Sequence, residues 1–334
     1  MSQISPAAET ATRILGPSED DGPGMVLGIM PFGTNIDAQT SFALLDQYVD
    51  EGGIWLDTAN CYSYWADPSG HGGASEELLG QWLRARPGKR DSIRIATKVG
   101  CEPVPLEVNP SGTEGLGAEV IAQAFETSLR RMGVEFVDMY WAHRDDLKVD
   151  QEETVAAFAA LVADGSVGRW GYSNAALWRV ERARGIARAA GVEAPSALQL
   201  RYSYLQPRPM VRDHIHDHRF GWVTDETLDY AANNPDVEIW AYSPLMTGAY
   251  DRPEKPINEA FDHPGNTRRL AVLTELAHEL GVSRTELVAS WMTGGSPAVI
   301  PIVGVSTPEQ LSTAMRATRS ELTDEVRAAL DEPW

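Results

Sequence analysis

The chain has 334 residues, 43% of them hydrophobic, which suits one large α/β barrel and also allows two domains. Its formal net charge of −20 comes from acidic residues spread along the chain, and because such a surface repels phosphate backbones, nucleic acid is excluded as an expected partner. No apolar run approaches the roughly 18 residues of a membrane helix, and the polar residues 1–10 lack the features of a secretory signal. We therefore expect a cytoplasmic protein without a membrane partner.

Short apolar or β-branched segments alternate with longer segments of helical periodicity. This alternation predicts a parallel sheet whose strands are joined by helices, and near-continuous apolar runs such as VDMYWAH suit strands that are covered on both faces. The predicted fold is α/β, a single (β/α)8 TIM-barrel domain over residues 1–334. The eight predicted strands are Val26–Met30, Ile54–Asp57, Ile93–Lys98, Val137–His143, Val167–Tyr172, Ala197–Arg201, Val237–Tyr242 and Val299–Val303.

Helix start and stop signals lie between these strands. The predicted helix caps are Asp37, Ser75, Asn174, Ser283 with Glu286 as a capping box, and Thr307 before Pro308. Glycines at the expected stops are Gly52–Gly53, Gly133, Gly165, Gly191 and Gly281.

Four segments do not fit the strand–helix repeat. Gly16–Gly24 is a glycine-rich turn that we expect to join an N-terminal hairpin across the barrel bottom. Cys101–Gly117, Leu205–Gly221 and Met246–Gly265 follow the third, sixth and seventh strands, so we expect long loops at the C-terminal face. Long irregular loops in a compact domain usually carry function.

Three predicted strands end in a residue able to take part in proton chemistry. These residues are Asp57, Lys98 and His143, and Tyr62 follows Asp57 by five positions. The C-terminal ends of barrel strands converge on one mouth, so residues far apart in the chain become neighbours there. Each residue alone would more often be a cap, a packing residue or a solvated side chain. The set of four indicates a catalytic site.

Carbonyl reduction is the chemistry that this set fits. When hydride attacks a carbonyl carbon, the oxygen becomes an alkoxide that needs a proton, and a free phenol with a pKa of about 10 gives its proton up reluctantly. An ammonium such as Lys98 beside Tyr62 would stabilise the phenolate, Asp57 would balance the buried ammonium, and His143 would donate a hydrogen bond to the oxygen.

The sequence resembles the aldo-keto reductases across some 300 residues. The matching stretches, in chain order, are LDTANCY (56–62), GGASEELLGQWL (72–83), ATKVG (96–100), YWAHRDD (140–146), GYSN (171–174), LQLRYSYL (198–205), AYSPLMTGAY (241–250) and VIPIVGVSTPEQL (299–311). The resemblance implies Tyr62 as general acid, Lys98 and Asp57 as its tuning pair, His143 as the orienting group, and an extended nicotinamide cofactor bound without a Rossmann fingerprint.

The same resemblance implies cofactor contacts. Ser173, Asn174 and Gln199 would bind the nicotinamide carboxamide, and Tyr242 would lie under the nicotinamide ring. Residues expected over the pyrophosphate are Ser243, Pro244, Leu245 and Gly248, and those expected at the adenosine end are Gly304, Ser306 and Gln310.

The pattern departs from the family near the adenine. An acidic residue and an asparagine are expected after Gln310, but Thr313 and Ala314 occupy those positions, and no cation that would grip a 2′-phosphate is evident beside Ser306. Arg268, Arg269 or Arg316 could supply that charge. We expect NADP(H) in preference to NAD(H).

The loops at the barrel mouth should supply the substrate pocket, for which a small-molecule carbonyl or alcohol is expected. Its predicted aromatic lining consists of Phe32, Tyr64, Trp65, Trp141, Tyr204 and Trp222. No metal is predicted, although the alternating His214, His216 and His218 resemble a ligand run and leave metal binding as a minor alternative.

Other functions remain open at this stage. The same residues would also suit a redox-sensing or accessory subunit that binds the cofactor and turns over slowly, because a fold does not prove a function. A different barrel enzyme is disfavoured, since the sequence has no metal triad, nucleophile elbow or phosphate-binding glycine motif. A redox link between Cys61 and Cys101 is conceivable, and no motif indicates an oligomeric state.

Overall fold

A computed structural model describes residues 4–6, 24–107, 112–210 and 220–332 of the chain. Its eight central strands run parallel in a closed barrel, which confirms the predicted (β/α)8 fold. The barrel strands are β2 (Val26–Gly28), β3 (Trp55–Asp57), β4 (Arg94–Val99), β5 (Val137–Ala142), β6 (Val167–Ser173), β7 (Ala197–Arg201), β8 (Glu238–Tyr242) and β9 (Val299–Val303). Each overlaps its predicted segment, because a strand covered on both faces needs a continuous apolar run.

Most α-helices of the described residues follow a barrel strand. The helices are α1 (Ala38–Asp50), α2 (Ala74–Ala85), α3 (Ala118–Met132), α4 (Gln151–Ala163), α5 (Leu177–Ala190), α6 (Asp225–Asn233), α7 (Pro264–Leu280), α8 (Arg284–Thr293), α9 (Pro308–Thr318) and α10 (Asp324–Asp331). Asp37 caps α1 through the Thr40 amide, and Ser283 with Glu286 forms the predicted capping box of α8. Gly133, Gly191 and Gly281 end α3, α5 and α7 in the left-handed conformation.

Two predicted helix caps are wrong. The N-cap of α2 is Gly73, and Ser75 is buried inside the first turn, where its hydroxyl donates to the Ile29 carbonyl at 2.8 Å. The N-cap of α5 is Ala176, whereas the Asn174 amide donates to the His143 carbonyl at 3.0 Å. In both cases a tertiary hydrogen bond takes the polar side chain that the local pattern assigned to a cap.

The chain falls into two compact units. One consists of residues 27–199 with 306–308 and contains β3 to β6, where a buried aromatic cluster includes Phe158 stacked on Trp170 at a ring distance of 4.8 Å. The other consists of residues 1–26, 200–305 and 309–334 and has its own buried core around Trp291, which packs edge-on against Tyr204. All four residues predicted for proton chemistry belong to the first unit.

The N-terminal strand β1 (Ile4–Pro6) pairs antiparallel with β10 (Ser320–Leu322), near the other end of the chain. The predicted hairpin turn at Gly16–Gly24 lies outside the described residues except for Gly24, as do His214, His216 and His218. Much of the Cys101–Gly117 and Met246–Gly265 loops is described, and both follow barrel strands as predicted.

Candidate active site

The ends of neighbouring strands bring the predicted catalytic residues together. Asp57 is the last residue of β3, and it pairs in register with Ala96 of β4, two residues before Lys98. On the other side of β4, Lys98 pairs with Trp141 of β5, two residues before His143. Parallel pairing therefore places three chemically active side chains at the same end of adjacent strands, as barrel geometry requires.

Lys98 is the centre of this site. Its ammonium group is fully buried and donates to the Asp57 carboxylate at 2.5 Å, the Thr58 carbonyl at 2.6 Å and the Tyr62 hydroxyl at 2.9 Å. An ammonium has three protons, and each has an acceptor here. Burial lowers the pKa of Lys98, and the adjacent Asp57 carboxylate opposes that shift. The three acceptors thus suit the charged form of a lysine that has no contact with water.

His143 directly follows β5, and its ring packs against that of Tyr62. The two rings meet edge to face with 5.6 Å between their centroids. The Nδ1 atom of His143 lies 3.5 Å from the Cys61 sulfur, and the backbone amide of His143 donates to the Val99 carbonyl at 2.8 Å. Both Tyr62 and His143 are partly exposed, so a small molecule can reach them.

Three polar side chains lie in or directly after the next two strands, β6 and β7. Ser173 of β6 pairs with Gln199 of β7, and the Asn174 amide donates to the Ser173 hydroxyl at 3.0 Å. The Gln199 amide donates to Asp57 at 3.0 Å, which joins it to the lysine site. Asn174 has a φ of 54°, a left-handed conformation that asparagine adopts more readily than most other residues. A hydroxyl and two amides in this arrangement fit the carboxamide of a nicotinamide.

Comparison with known proteins agrees with this geometry. The sequence model of the Aldo/keto reductase family matches residues 24–334. The chain belongs to the aldo/keto reductase family. It is 31% identical over 86% of its length to the aldo-keto reductase str7 of Strobilurus tenacellus, covering 79% of that protein. It is 28% identical to an aryl-alcohol dehydrogenase [NADP(+)] of Phanerodontia chrysosporium, over 88% of this chain and 76% of that one.

A third relative carries a different kind of name. It is a putative voltage-gated potassium channel subunit beta of Schizosaccharomyces pombe, 28% identical over 86% of this chain and 82% of its own length. The relatives of this chain thus include proteins named as enzymes and a protein named as a channel subunit.

The remaining residues predicted to bind cofactor in this aldo/keto reductase lie mainly in the second unit. Tyr242 ends β8, and the loop after it has left-handed backbone at Ser243 (φ 55°), Met246 (φ 48°) and Thr247 (φ 54°). Strained backbone of this kind concentrates at ligand clamps. The Pro244 carbonyl accepts from the Ser203 hydroxyl at 2.6 Å, and the Gly248 amide donates to Leu245 at 2.8 Å.

The adenosine-end residues have different surroundings. Gly304 and Ser306 are exposed before α9, which begins at Pro308, and Gln310 is partly exposed in the first turn of that helix. Of the arginines proposed to hold a 2′-phosphate, Arg269 donates to the Tyr204 carbonyl and lies over the Tyr204 ring at 4.5 Å, and Arg316 pairs with Glu286 at 2.6 Å. Arg268 is exposed.

The six aromatic residues predicted to line the substrate pocket divide by burial. Tyr64 and Trp65 are 38% and 53% exposed, and their rings contact edge to face at 5.0 Å. Trp222 is partly exposed and lies 4.8 Å from the Arg201 guanidinium. The other three, Phe32, Trp141 and Tyr204, are almost completely buried, so in this conformation they present no surface to a substrate.

Sequence reasoning missed a buried ion pair beside the site. Glu76 is fully buried on α2 and lies 3.1 Å from Arg131 on α3. The signal was present in the GGASEELLGQWL stretch, where an acidic side chain occupies a position that the apolar pattern assigns to the core. A buried carboxylate is almost always paired, so this position predicts a cationic partner without naming it.

Across residues 4–6, 24–107, 112–210 and 220–332, no three His, Cys, Asp or Glu side chains are grouped so as to hold a metal ion. The described helices include none that combines the length and the apolar character needed to cross a membrane.

Proposed function

We propose that this oxidoreductase reduces aldehydes or ketones with NAD(P)H, or oxidises the corresponding alcohols, with Tyr62 as general acid and base. The observation that carries the proposal is the buried Lys98 ammonium, which contacts Asp57 and the Tyr62 hydroxyl at once. A bound nicotinamide would supply or accept the hydride, and the protein groups would handle the proton.

The role of Tyr62 follows from its contact with Lys98. A positive charge 2.9 Å from the phenol oxygen favours the phenolate, which makes the phenol a stronger acid toward a developing alkoxide. The low-dielectric surroundings of a fully buried ammonium strengthen this effect. Tyr62 thus releases a proton to the substrate oxygen in reduction and accepts one in oxidation.

The role of His143 is to orient the substrate carbonyl. Its Nδ1 atom faces the Cys61 sulfur, which leaves Nε2 as the atom available to a substrate beside the Tyr62 ring. A hydrogen bond from Nε2 would hold the carbonyl oxygen next to the phenol and stabilise the charge that develops on it.

Ser173, Asn174 and Gln199 are proposed to bind the nicotinamide carboxamide. They lie together in or directly after β6 and β7, and Gln199 also contacts Asp57. Roles for Tyr242, Ser243, Pro244, Leu245, Gly248, Gly304, Ser306 and Gln310 toward the rest of the cofactor stay predictions from the resemblance. We propose NADP(H) as the preferred cofactor, which the name of the P. chrysosporium relative supports.

An aromatic aldehyde or aryl alcohol is the proposed substrate class. The relative named aryl-alcohol dehydrogenase supports it, and exposed Tyr64 and Trp65 lie two and three residues beyond Tyr62. Apolar aromatic surface beside a few polar groups is the usual composition of a small-molecule site. A cytoplasmic location is part of the same proposal.

The test is a screen of aromatic and aliphatic aldehydes, ketones and alcohols with NADPH and NADH, followed at 340 nm. We expect NADPH oxidation with an aromatic aldehyde and a higher kcat/KM with NADPH than with NADH. A protein that binds cofactor tightly but fails to oxidise it with every carbonyl tested would contradict the enzymatic proposal.

A slow cofactor-binding accessory subunit is the second candidate, favoured by the S. pombe relative. The same screen separates the two functions, because an accessory subunit would retain cofactor and turn over slowly. The complete contact set of Lys98 favours the enzyme.

A further inference from the structure

We propose that Arg131 is a positioning residue for Tyr62, and that its guanidinium, together with the Glu76 carboxylate, holds both stems of the loop that carries the phenol. This inference rests on the proposed function of Tyr62. We call Arg131 and Glu76 the clamp, and residues 60–73 the tyrosine loop.

The clamp reaches both ends of the tyrosine loop with one side chain. Arg131 lies near the end of α3, and its Nη1 donates to the Asn60 carbonyl at 3.1 Å while Nη2 donates to the Gly72 carbonyl at 2.9 Å. A planar guanidinium fixes the relative position of two acceptors, which a lysine ammonium on a flexible stem does much less well.

Glu76 connects this guanidinium to the lysine strand. Its Oε2 accepts from Arg131 at 3.1 Å, and its Oε1 accepts from the Thr97 hydroxyl at 2.6 Å, one residue before Lys98. The carboxylate is fully buried, and desolvation raises its pKa against the opposing contacts from Thr97 and Arg131. A buried ion pair seldom adds net stability over apolar packing, so we infer that this pair serves to fix the position of the Arg131 guanidinium.

The two stems of the tyrosine loop pack closely against each other and against Arg131. The Gly73 amide donates to the Tyr62 carbonyl at 3.2 Å, so the second stem contacts the catalytic residue itself. A Cβ atom on Gly73 would lie 2.4 Å from the Arg131 Cζ, and one on Gly72 would lie 2.4 Å from the Cys61 backbone. Only glycines allow the two stems and the guanidinium to come this close.

Strained backbone next to the phenol supports the same conclusion. Ser63 has a φ of 71°, and its hydroxyl donates to the Met30 carbonyl at 2.9 Å. A left-handed residue other than glycine persists only where its surroundings over-determine it. The clamp contributes that constraint from one side of the tyrosine loop, and the Ser63 hydrogen bond contributes it from the other.

The expected function of the clamp is to keep the Tyr62 hydroxyl within hydrogen-bond range of Lys98. Without it, the Asn60 and Gly72 carbonyls lose their shared donor and the stems can move apart. A displacement of about 1 Å at a reacting group can cost roughly 100-fold in rate. Cofactor contacts at Ser173, Asn174 and Gln199 do not involve the clamp and should keep their affinity.

The first experiment compares Arg131→Ala with Arg130→Ala in the full-length protein. Arg130 is the neighbouring residue on the same helix, and its exposed side chain lies 3.9 Å from Glu126. We expect Arg131→Ala to lower kcat for aldehyde reduction by about 100-fold with an unchanged Kd for NADPH, and guanidinium ion at a sub-denaturing concentration to restore part of the rate. Arg130→Ala should match the unaltered protein with and without guanidinium.

A second variant covers the case in which Arg131→Ala fails to fold. The double variant Arg131→Met with Glu76→Gln removes both charges together and so leaves no unpaired buried ion. It should fold while still showing the loss of kcat, because neither new side chain can hold two carbonyls. Wild-type kcat in this double variant would overturn the proposal.

The readout that separates this inference from the proposed function needs no turnover. In protein labelled with ¹³Cζ-tyrosine, the Tyr62 resonance is assigned by its loss in Tyr62→Phe and titrated with pH. We expect the Tyr62 phenol to titrate at higher pH in Arg131→Ala than in Arg130→Ala, because it has moved away from Lys98. An unchanged titration, with only the Tm lowered, would show a purely structural role and overturn the proposal, whether or not the unaltered protein reduces carbonyls.

Discussion

The polar groups around Lys98 and the aromatic side chains after Tyr62 differ in how firmly the chain fixes them. Lys98 is fully buried and uses all three protons on Asp57, Thr58 and Tyr62. Trp65 is 53% exposed and contacts a neighbour, Tyr64, that is itself 38% exposed. Proton chemistry needs atoms held to within a fraction of an ångström, whereas recognition of an apolar ring needs only surface of suitable shape. The difference predicts that substitutions in the first region change kcat and those in the second change KM.

The largest expected effect comes from Tyr62→Phe. Removing the phenol oxygen removes the proposed general acid, so kcat/KM for aldehyde reduction should fall by about 10³-fold. Tyr64→Phe is the matched control, since it deletes the same oxygen two residues away on an exposed side chain. Cofactor affinity, measured by fluorescence titration, should be the same in both variants. Equal activities in the two variants would remove Tyr62 from the mechanism.

Lys98→Met should have the next largest effect, with kcat lowered by about 100-fold because the charge that acidifies Tyr62 is lost. The variant also leaves Asp57 buried, at 3% side-chain exposure, without its cationic partner, so the free energy of unfolding should fall by about 3–5 kcal/mol. Adding Asp57→Asn should recover part of that stability in urea unfolding without recovering activity. Recovery of both together would mean that the lysine contributes only to folding.

Trp65→Ala tests the recognition side of the comparison. Loss of one aromatic contact of about 1 kcal/mol should raise KM for an aromatic aldehyde about fivefold and leave kcat unchanged. Trp178→Ala is the control, because Trp178 is 61% exposed and is the second residue of α5. A fall in kcat without a change in KM for Trp65→Ala would contradict a role in substrate recognition and would group Trp65 with the polar residues around Lys98.

The smallest expected effect is a difference in chemical labelling between the two cysteines, Cys61 and Cys101. A hydrogen bond from Cys61 and the positive charges of His143 and Arg144 hold the pKa of the Cys101 thiol well below its usual range. Contact with Cys101 and burial raise the pKa of the Cys61 thiol. Iodoacetamide should therefore label Cys101 before Cys61. Peptide mapping by mass spectrometry measures the labelling of both, and preferential labelling of Cys61 would contradict the assignment.

The catalytic set could be predicted from the sequence because it lies at strand ends. Apolar runs located β3, β4 and β5 to within a residue or two, and parallel pairing then fixes where Asp57, Lys98 and His143 must meet. This inference needs only the spacing of apolar residues, the parallel direction of the strands and the closure of the sheet into a barrel. Tyr62 needed the family resemblance as well, since a tyrosine five residues beyond a strand has no fixed direction by pattern alone.

The contacts that the sequence did not predict are tertiary and polar. Ser75 and Asn174 read locally as helix caps, yet Ser75 bonds the Ile29 carbonyl and Asn174 bonds that of His143. Glu76 and Arg131 lie 55 residues apart, and neither segment contains a pattern that identifies the other as its partner. Aromatic residues gave no better guidance, because Trp141 and Trp65 look equivalent in sequence but one is buried and the other exposed. The hydrophobic pattern specifies which face of a helix or strand is buried. It does not specify which polar atoms pair across that face.

The most direct test of the central claim is the pH dependence of kcat/KM for aldehyde reduction in the unaltered protein and in Lys98→Met. If the buried ammonium makes the Tyr62 phenol more acidic, activity in the unaltered protein is lost on the basic side as that phenol ionises, and the basic limb moves to higher pH when the ammonium is removed. Superimposable basic limbs in the two proteins would contradict the account, because Lys98 would then have no influence on the acid that protonates the substrate.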